Sequence, residues 1–327
     1  MPQISHAFAV ARVRSAEKAL LSRAALERLM ACESGEALLR ALSELGWGEA
    51  DDVDALAQRA QEEACALLRA LTPDENATDC FLAKYDVLNL KTLVKERALP
   101  GMDAPLSPNG TIPVQALRQA AAGEKCEGLP EAYREALAEI SRACVLAMDP
   151  LLCDARLDQA LFREIDRRLG QVKEGEIRAC FAARSDVANL RIALRARALG
   201  RDAAFARDLF VQGGLLPLDA LAELVQAPER AKALVKDQPY APFALRGLEA
   251  YEKGRGLTAL EKQMDDYETS LMRAHRYAPV SLLPLVGYFL AREHDVATVR
   301  LIAAAKAARF AQEAYVGFVR EPYILRG

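Results

Sequence analysis

Three histidines (His6, His275, His294), two adjacent aspartate pairs (Asp51-Asp52, Asp265-Asp266) and seven cysteines are the side chains with most chemistry to offer. Metal binding or acid-base catalysis would need them at defined spacing, and no HExxH, no DDxxD and no Cys or carboxylate at ligand spacing from a histidine occurs. Each histidine is therefore expected at the surface. Neighbouring residues on a helix point about 100° apart, so the two aspartate pairs read as solvated faces. Cys32, Cys65, Cys80, Cys126, Cys144, Cys153 and Cys180 form an odd set without CxxC, in stretches rich in Ala and Leu. They read as reduced, cytosolic, apolar fillers. No GxxxxGK[ST] loop, GxGxxG turn or GxSxG elbow is present, and the nearest glycine cluster, Gly254-Arg255-Gly256, lies in a charged turn. No catalytic, cofactor-binding, metal or direct nucleotide site is expected. An all-α enzyme with an unrecognised site would have to show convergent titratable groups around a pocket.

The elements that carry these residues follow from composition. The 327 residues are 52% hydrophobic and 27% charged but only 6% aromatic, with 43 Lys+Arg against 46 Asp+Glu. A net charge of -3 gives no field to hold a polyanion, and Trp47 and the tyrosines are too dispersed for a stacking platform, so nucleic-acid binding is excluded. Ala, Leu, Arg and Glu dominate, β-branched runs are rare and no strand-length alternation persists, which predicts an all-α fold. Val87, Leu90, Val94 and Leu99, and Leu26, Leu29, Leu38, Leu39 and Leu42, recur at helical spacing and predict half-buried helices. Pro100-Gly101, Pro105–Gly110, Gly123, Gly170, Gly213-Gly214, Pro228 and Gly254–Gly256 are the principal breaks. Arg12, Arg14, Glu17 and Lys18 interrupt the stretch where a signal peptide would be apolar. The most apolar run, Ala278–Ala291, is broken by Pro284 and Gly287 and is too short to span a bilayer. It is expected to be a core helix rather than a contact surface.

The strongest signal is internal. Cys80–Leu99 (CFLAKYDVLNLKTLVKERAL) over Cys180–Leu199 (CFAARSDVANLRIALRARAL) gives ten identities in twenty positions at an offset of 100, where chance gives roughly one or two. Lys84/Arg184, Lys91/Arg191 and Lys95/Arg195 keep their charge. A third, weaker copy, Leu290–Ala308, follows 109 residues later and repeats Asp295, Val296 and Arg300, with Thr298 in place of Asn. The companion half recurs as well: Gly110–Leu117 matches Gly214–Leu221, and Leu21–Leu42 echoes Leu216–Leu234. Duplicated units of this kind stack to bury their apolar faces. The expected units are 1–108, 109–212 and 213–327. A period this long favours a closed assembly over an open scaffold of 30- to 45-residue repeats, although a helical-repeat adaptor for another soluble partner is the alternative reading.

The shared motif is Asp86, Asn89 in the first copy, Asp186, Asn189 in the second and Asp295, Thr298 in the third. Asp86 and Asp186 are placed to cap helices starting at Val87 and Val187. Asn89 and Asn189 lie beside an apolar stripe, where an amide needs a partner on a neighbouring helix or repeat. Lys91/Lys95 and Arg191/Arg195 are like-charged i, i+4 pairs that disfavour an isolated helix by a few tenths of a kcal/mol. With Arg300 they are either a solvated basic face or contacts for an acidic partner.

The opening FAVARVRSAEKALLS (Phe8–Ser22), KYDVLNLKTLVKERA (Lys84–Ala98), LPLDALAELV (Leu216–Val225) and YFLAREHDVATVRLIAAAK (Tyr288–Lys306), in this order and spacing, resemble the C subunit of rotary V-type and archaeal A-type ATPases, the counterpart of the eukaryotic d subunit. The third copy departs from the pattern at Thr298 and after Lys306. The resemblance implies a non-catalytic subunit. It would be a funnel of three pseudo-threefold helical domains on the cytoplasmic face of the membrane rotor ring, holding the shaft of the central stalk (D- and F-type subunits) without spanning the membrane. Torque linked to ATP and to proton or sodium transport would pass through it. A two-helix shaft needs a socket roughly 20 Å wide, which three helical units could enclose.

Overall fold

The computed structural model describes residues 5–99, 101, 104–142 and 150–325. Cys144 and Pro100 lie outside them. Among the described residues the regular structure is helical, apart from one isolated parallel bridge between Ser22 and Ile324. The α-helices in chain order are α1 (His6–Ala16), α2 (Arg23–Ala31), α3 (Gly35–Leu42), α4 (Val53–Leu71), α5 (Glu75–Ala98), α6 (Val114–Ala122), α7 (Glu131–Arg142) and α8 (Pro150–Leu169). They continue with α9 (Gly175–Ala198), α10 (Ala203–Leu209), α11 (Leu218–Glu223), α12 (Ala231–Val235), α13 (Ala241–Ala250), α14 (Thr258–Ala274), α15 (Leu283–Ala307) and α16 (Gln312–Tyr315).

Local chemistry sets the boundaries. The side chains of Ser5, Ser22, Ser34, Asp52 and Asp202 accept the backbone N–H three residues on and so start α1, α2, α3, α4 and α10. Gly123 ends α6 in the left-handed conformation. Pro284 sits in the first turn of α15, where its missing N–H is harmless, so it begins that helix instead of interrupting it. The buried stretch Leu283–Ala291 is core, preceded by exposed Tyr277 and Val280.

The chain divides into two compact units, Met1–Asp74 with Tyr240–Gly327, and Glu75–Pro239. In the first, α4 packs along α15, α13 along α14, and α1, α2 and α3 cover further parts of α15. Its core joins Leu29, Leu38, Leu42, Trp47 and Leu56 to Val299 and Ile302. In the second, α8 packs on α5 and α7, while α10 and α11 pack on α9. Here Phe81 of α5 meets its repeat counterpart Phe181 of α9 at 4.9 Å between ring centroids, and the Arg184 guanidinium lies over both rings.

The three long helices α5, α9 and α15, with 24, 24 and 25 residues, carry the repeated motif. The half-buried helix expected over Val87, Leu90, Val94 and Leu99 is the second half of α5, where Val87, Leu90 and Val94 are buried and Leu88 is exposed. Successive residues Cys80–Ala83 of α5 and Leu283–Arg292 of α15 are buried, so these stretches are wrapped on several sides. Leu99, expected in the stripe, is 60% exposed just beyond the end of α5. The capping expectation is overturned: α5 begins at Glu75, after Thr72-Pro73-Asp74, and α9 at Gly175, which leaves Asp86 and Asp186 in helix interiors. A carboxylate there has no orphan N–H of its own helix to accept.

Candidate functional site

Asp86, Asp186 and Asp295 are buried, and each reaches to a segment remote in sequence. Asp86 Oδ2 accepts the N–H and the hydroxyl of Thr111 at 3.0 and 2.7 Å, and Oδ1 accepts the Ile112 N–H at 3.0 Å. Asp186 accepts the N–H groups of Leu215 and Leu216, both at 2.9 Å. Asp295 Oδ2 accepts the Leu21 N–H at 2.9 Å. Ile112, Leu216 and Leu21 each stand one residue before the N-cap of a short helix, Pro113 for α6, Pro217 for α11 and Ser22 for α2. The three carboxylates therefore hold helix entrances in one register, which gives the echo between Leu21–Leu42 and Leu216–Leu234 a physical content. A Cβ on Gly110 or Gly214 would run into the Oδ1 of Asp86 or Asp186, so glycine is what lets the chain come this close.

Three residues on, Asn89 donates to the Ser107 carbonyl and accepts the Ser107 N–H, both at 2.8 Å. Asn189 makes the same pair with Val211 at 2.9 Å. Thr298 makes one bond where each Asn makes two: its hydroxyl accepts the Arg320 N–H at 3.4 Å.

Eleven residues beyond each aspartate stands a cation that helical periodicity alone does not single out: Arg97, Arg197 and Lys306. Arg97 donates to the Ala121 carbonyl, in the last turn of α6. Arg197 donates to the Val225 and Gln226 carbonyls, just beyond α11, at 3.1 and 3.2 Å. Lys306 donates to the carbonyls of Met30, at 2.9 Å, and Cys32, at the end of α2. Eleven residues are about three helical turns, so the anion and the cation share one face of the long helix about 16 Å apart. Each short helix is gripped by an aspartate carboxyl group at its start and a cation at its end, the orientation its dipole favours. The repeated Arg97/Arg197 identity was the available signal.

The basic candidates are drawn into the chain's own ion pairs. Lys91 and Lys95 of α5 pair with Asp158 and Asp154 of α8 at 2.6 and 3.0 Å. Arg300 of α15 lies 3.4 Å from Asp54 of α4. Partly exposed pairs of this kind contribute about 0–1 kcal/mol each. Arg191 is half-buried and Arg195 exposed on α9.

Two expectations about histidines and paired aspartates are corrected. His294 is buried, not at the surface: its Nδ1 lies 2.9 Å from the Thr269 hydroxyl and its Nε2 3.6 Å from Asp265. Asp265-Asp266 is not a solvated face, because Asp265 pairs with Arg320 at 2.8 Å and Asp266, fully buried, pairs with Lys262 and accepts the Glu321 N–H. The segment around Arg320 bonds the aspartate pair, and α14 meets His294 of α15 through Thr269 and Asp265; the sequence around neither site announces this. Asp52 remains an exposed cap. Among the described residues no cluster of three or more His, Cys, Asp or Glu could hold a metal ion, and no helix is long and apolar enough to cross a membrane.

A family model described as ATP synthase (C/AC39) subunit matches residues 9–315. The chain is similar to the C subunit of the A-type ATP synthase of Methanocaldococcus jannaschii, 25% identical over 91% of this chain and 82% of the relative. It is also similar to the protein of that name from Pyrococcus furiosus, 25% identical over 91% and 86%. A third relative of that name, from Haloferax volcanii, is 29% identical over 54% of this chain and 49% of its own length.

The clamp carries stability. Asp186→Ala strands two backbone N–H groups that the carboxylate had satisfied and is expected to destabilise the chain by about 2–4 kcal/mol, whereas truncation of its partly exposed counterpart, Arg197→Ala, is expected to lose about 1 kcal/mol. Urea unfolding midpoints check both. Burial pushes the Asp295 carboxyl up to about 7, against the Leu21 N–H and Arg292, which pull it down. The native state then holds a proton that the unfolded chain has released, so this group's contribution to stability falls as pH rises from about 4 to about 7. Asp295→Asn keeps an acceptor for Leu21 and is expected to flatten that slope in chemical denaturation across this range.

Proposed function

As a member of the ATP synthase (C/AC39) subunit family, on the match across residues 9–315, this chain is, we propose, the non-catalytic C subunit of an A/V-type rotary ATPase and its coupling socket. The observation that carries this reading is the threefold recurrence of one device: a long helix with Asp at the entrance of a short helix and Arg or Lys at its end. The names of the relatives give the complex, and the repetition supports a collar around an axis. The long helices fall one in each of the stretches 1–108, 109–212 and 213–327, which in this proposal are three pseudo-symmetric units forming a funnel. The funnel receives the central-stalk shaft of D- and F-type subunits and sits on the membrane rotor ring, peripheral to the inner face of the membrane. It passes torque between ATP turnover and proton or sodium transport carried out by other subunits.

Resistance to shear is what such a part needs, and polar clamps supply it better than apolar contact alone, because a hydrogen bond is lost within a fraction of an ångström of misalignment. Lys91, Lys95 and Arg300 are committed to carboxylates of the same chain, so among the five basic candidates exposed Arg195 is best placed to meet an acidic stalk surface.

Affinity purification of the tagged chain from detergent-solubilised membranes is expected to bring down stalk and ring subunits; an eluate without them removes the basis of the proposal. Arg195→Glu is expected to weaken reconstitution of the central stalk by about tenfold, more at low salt than at high. Unchanged assembly would assign Arg195 to the solvated face.

A further inference from the structure

In the first two copies the segment gripped by Asn runs on into the segment gripped by Asp: Ser107 leads to Thr111 and Ile112, and Val211 leads to Leu215 and Leu216. Bonds made to one continuous stretch hold each other in place. The third copy divides the task between two stretches far apart in sequence: Asp295 holds Leu21, and Thr298 holds Arg320. Leu20 adds nothing to Asp295, since its N–H donates to the Glu17 carbonyl instead, at 3.1 Å.

We propose that residues 319–324 are a flap that opens from α14 and α15 on its own, while the counterpart segments 107–112 and 211–216 stay closed. The flap has no regular structure apart from the single bridge of Ile324 to Ser22. Side chains of α14 and α15 hold it. Arg320 pairs with Asp265 and its N–H reaches Thr298, the Glu321 N–H donates to Asp266 at 2.8 Å, and Arg273 donates to the Pro322 and Tyr323 carbonyls at 2.6 and 3.3 Å. The bond to Thr298, at 3.4 Å, is long and single where each Asn makes two at 2.8–2.9 Å.

The closed position also contains a fault. Tyr323 is 3% exposed, and its hydroxyl is buried without a hydrogen-bond partner against Gly287, where an added Cβ would come within 2.7 Å of it. A buried unsatisfied hydroxyl penalises the closed state relative to one in which water reaches it. Opening would return that hydroxyl to water, uncover Gly287 and Met272, and release Asp265 and Asp266 from their bonds to Arg320 and Glu321. The flap is thus the adjustable part of the third copy, in the isolated chain as in any complex it joins.

Hydrogen exchange followed by mass spectrometry on the full chain tests it. The 319–325 peptide is expected to exchange at least about tenfold faster than peptides covering 107–112 and 211–216. Tyr323→Phe removes the stranded hydroxyl while keeping the ring, and is expected to slow exchange of the flap several-fold without changing 211–216. Equal protection of the three segments overturns the proposal. So does a Y323F chain whose flap exchanges no more slowly than the parent's.

Discussion

Everything in this fold turns on a charge pair carried eleven residues apart on each long helix. Asp86 and Arg97, Asp186 and Arg197, Asp295 and Lys306 face the same way, and a short helix fits between the members of each pair. The anion meets N–H groups at the helix entrance and the cation meets carbonyls at or just beyond its exit, so the bond geometry and the dipole agree. The short helix must then run parallel to the long one. Reversing it would put a carboxylate against carbonyls and a cation against N–H groups.

Direction and register settled in this way decide which apolar residues meet. Leu117 of α6, Leu221 of α11 and Leu26 of α2 stand at matching positions and are all buried. Burial of such a side chain contributes about 1.5–3 kcal/mol, comparable to the penalty of leaving a clamp's N–H groups unsatisfied. Neither term dominates. Apolar contact alone would tolerate a sliding helix, and a clamp alone would not hold one down. Closing the third copy with segments from residues 19–32 and 319–324 preserves the charge pair and gives up the continuous connection, which is where its geometry departs from the other two.

Composition alone makes the helical class legible, because strand-forming patterns are nearly absent, and the identities at Asp86, Asn89 and Arg97 make the duplication legible. The role of these residues is not. A capping aspartate and a clamping aspartate look alike in sequence; what tells them apart is where the helix starts, and Glu75 and Gly175 lie eleven residues upstream of the motif. The partners of the motif sit 18 to 30 residues away in the first two copies and 274 away for Asp295, beyond the reach of helical spacing. His294 and Asp265-Asp266 mislead for a related reason. A polar residue becomes buried through what packs against it, here α14 for His294 and the stretch around Arg320 for the aspartate pair, and local composition does not record that. The like-charged Lys91/Lys95 pair does signal a need for acidic company, and Asp158 and Asp154 supply it at the same i, i+4 spacing on α8.

A socket that transmits torque, as proposed, must keep its units from shifting against one another while its surroundings turn. Hydrophobic burial is non-directional and sets position along the helix axis only through side-chain interdigitation. The clamps resist a shift along that axis. Sliding a short helix by one residue, about 1.5 Å along its axis, breaks the bonds at its entrance and its exit together, and the buried N–H groups of Leu21 and Leu216 at the entrance find no water to replace them. The stiffness comes from polar bonds placed inside the fold, which also accounts for motif residues such as Asp86, Asn89, Asp186 and Asn189 being buried. In such a socket the buried motif residues Asp86, Asn89, Asp186 and Asn189 are not the surface that touches the shaft or the ring. In the proposal they tie one unit to the next, since Asp86, Asp186 and Asp295 each bond a segment of another unit, and exposed side chains make those contacts.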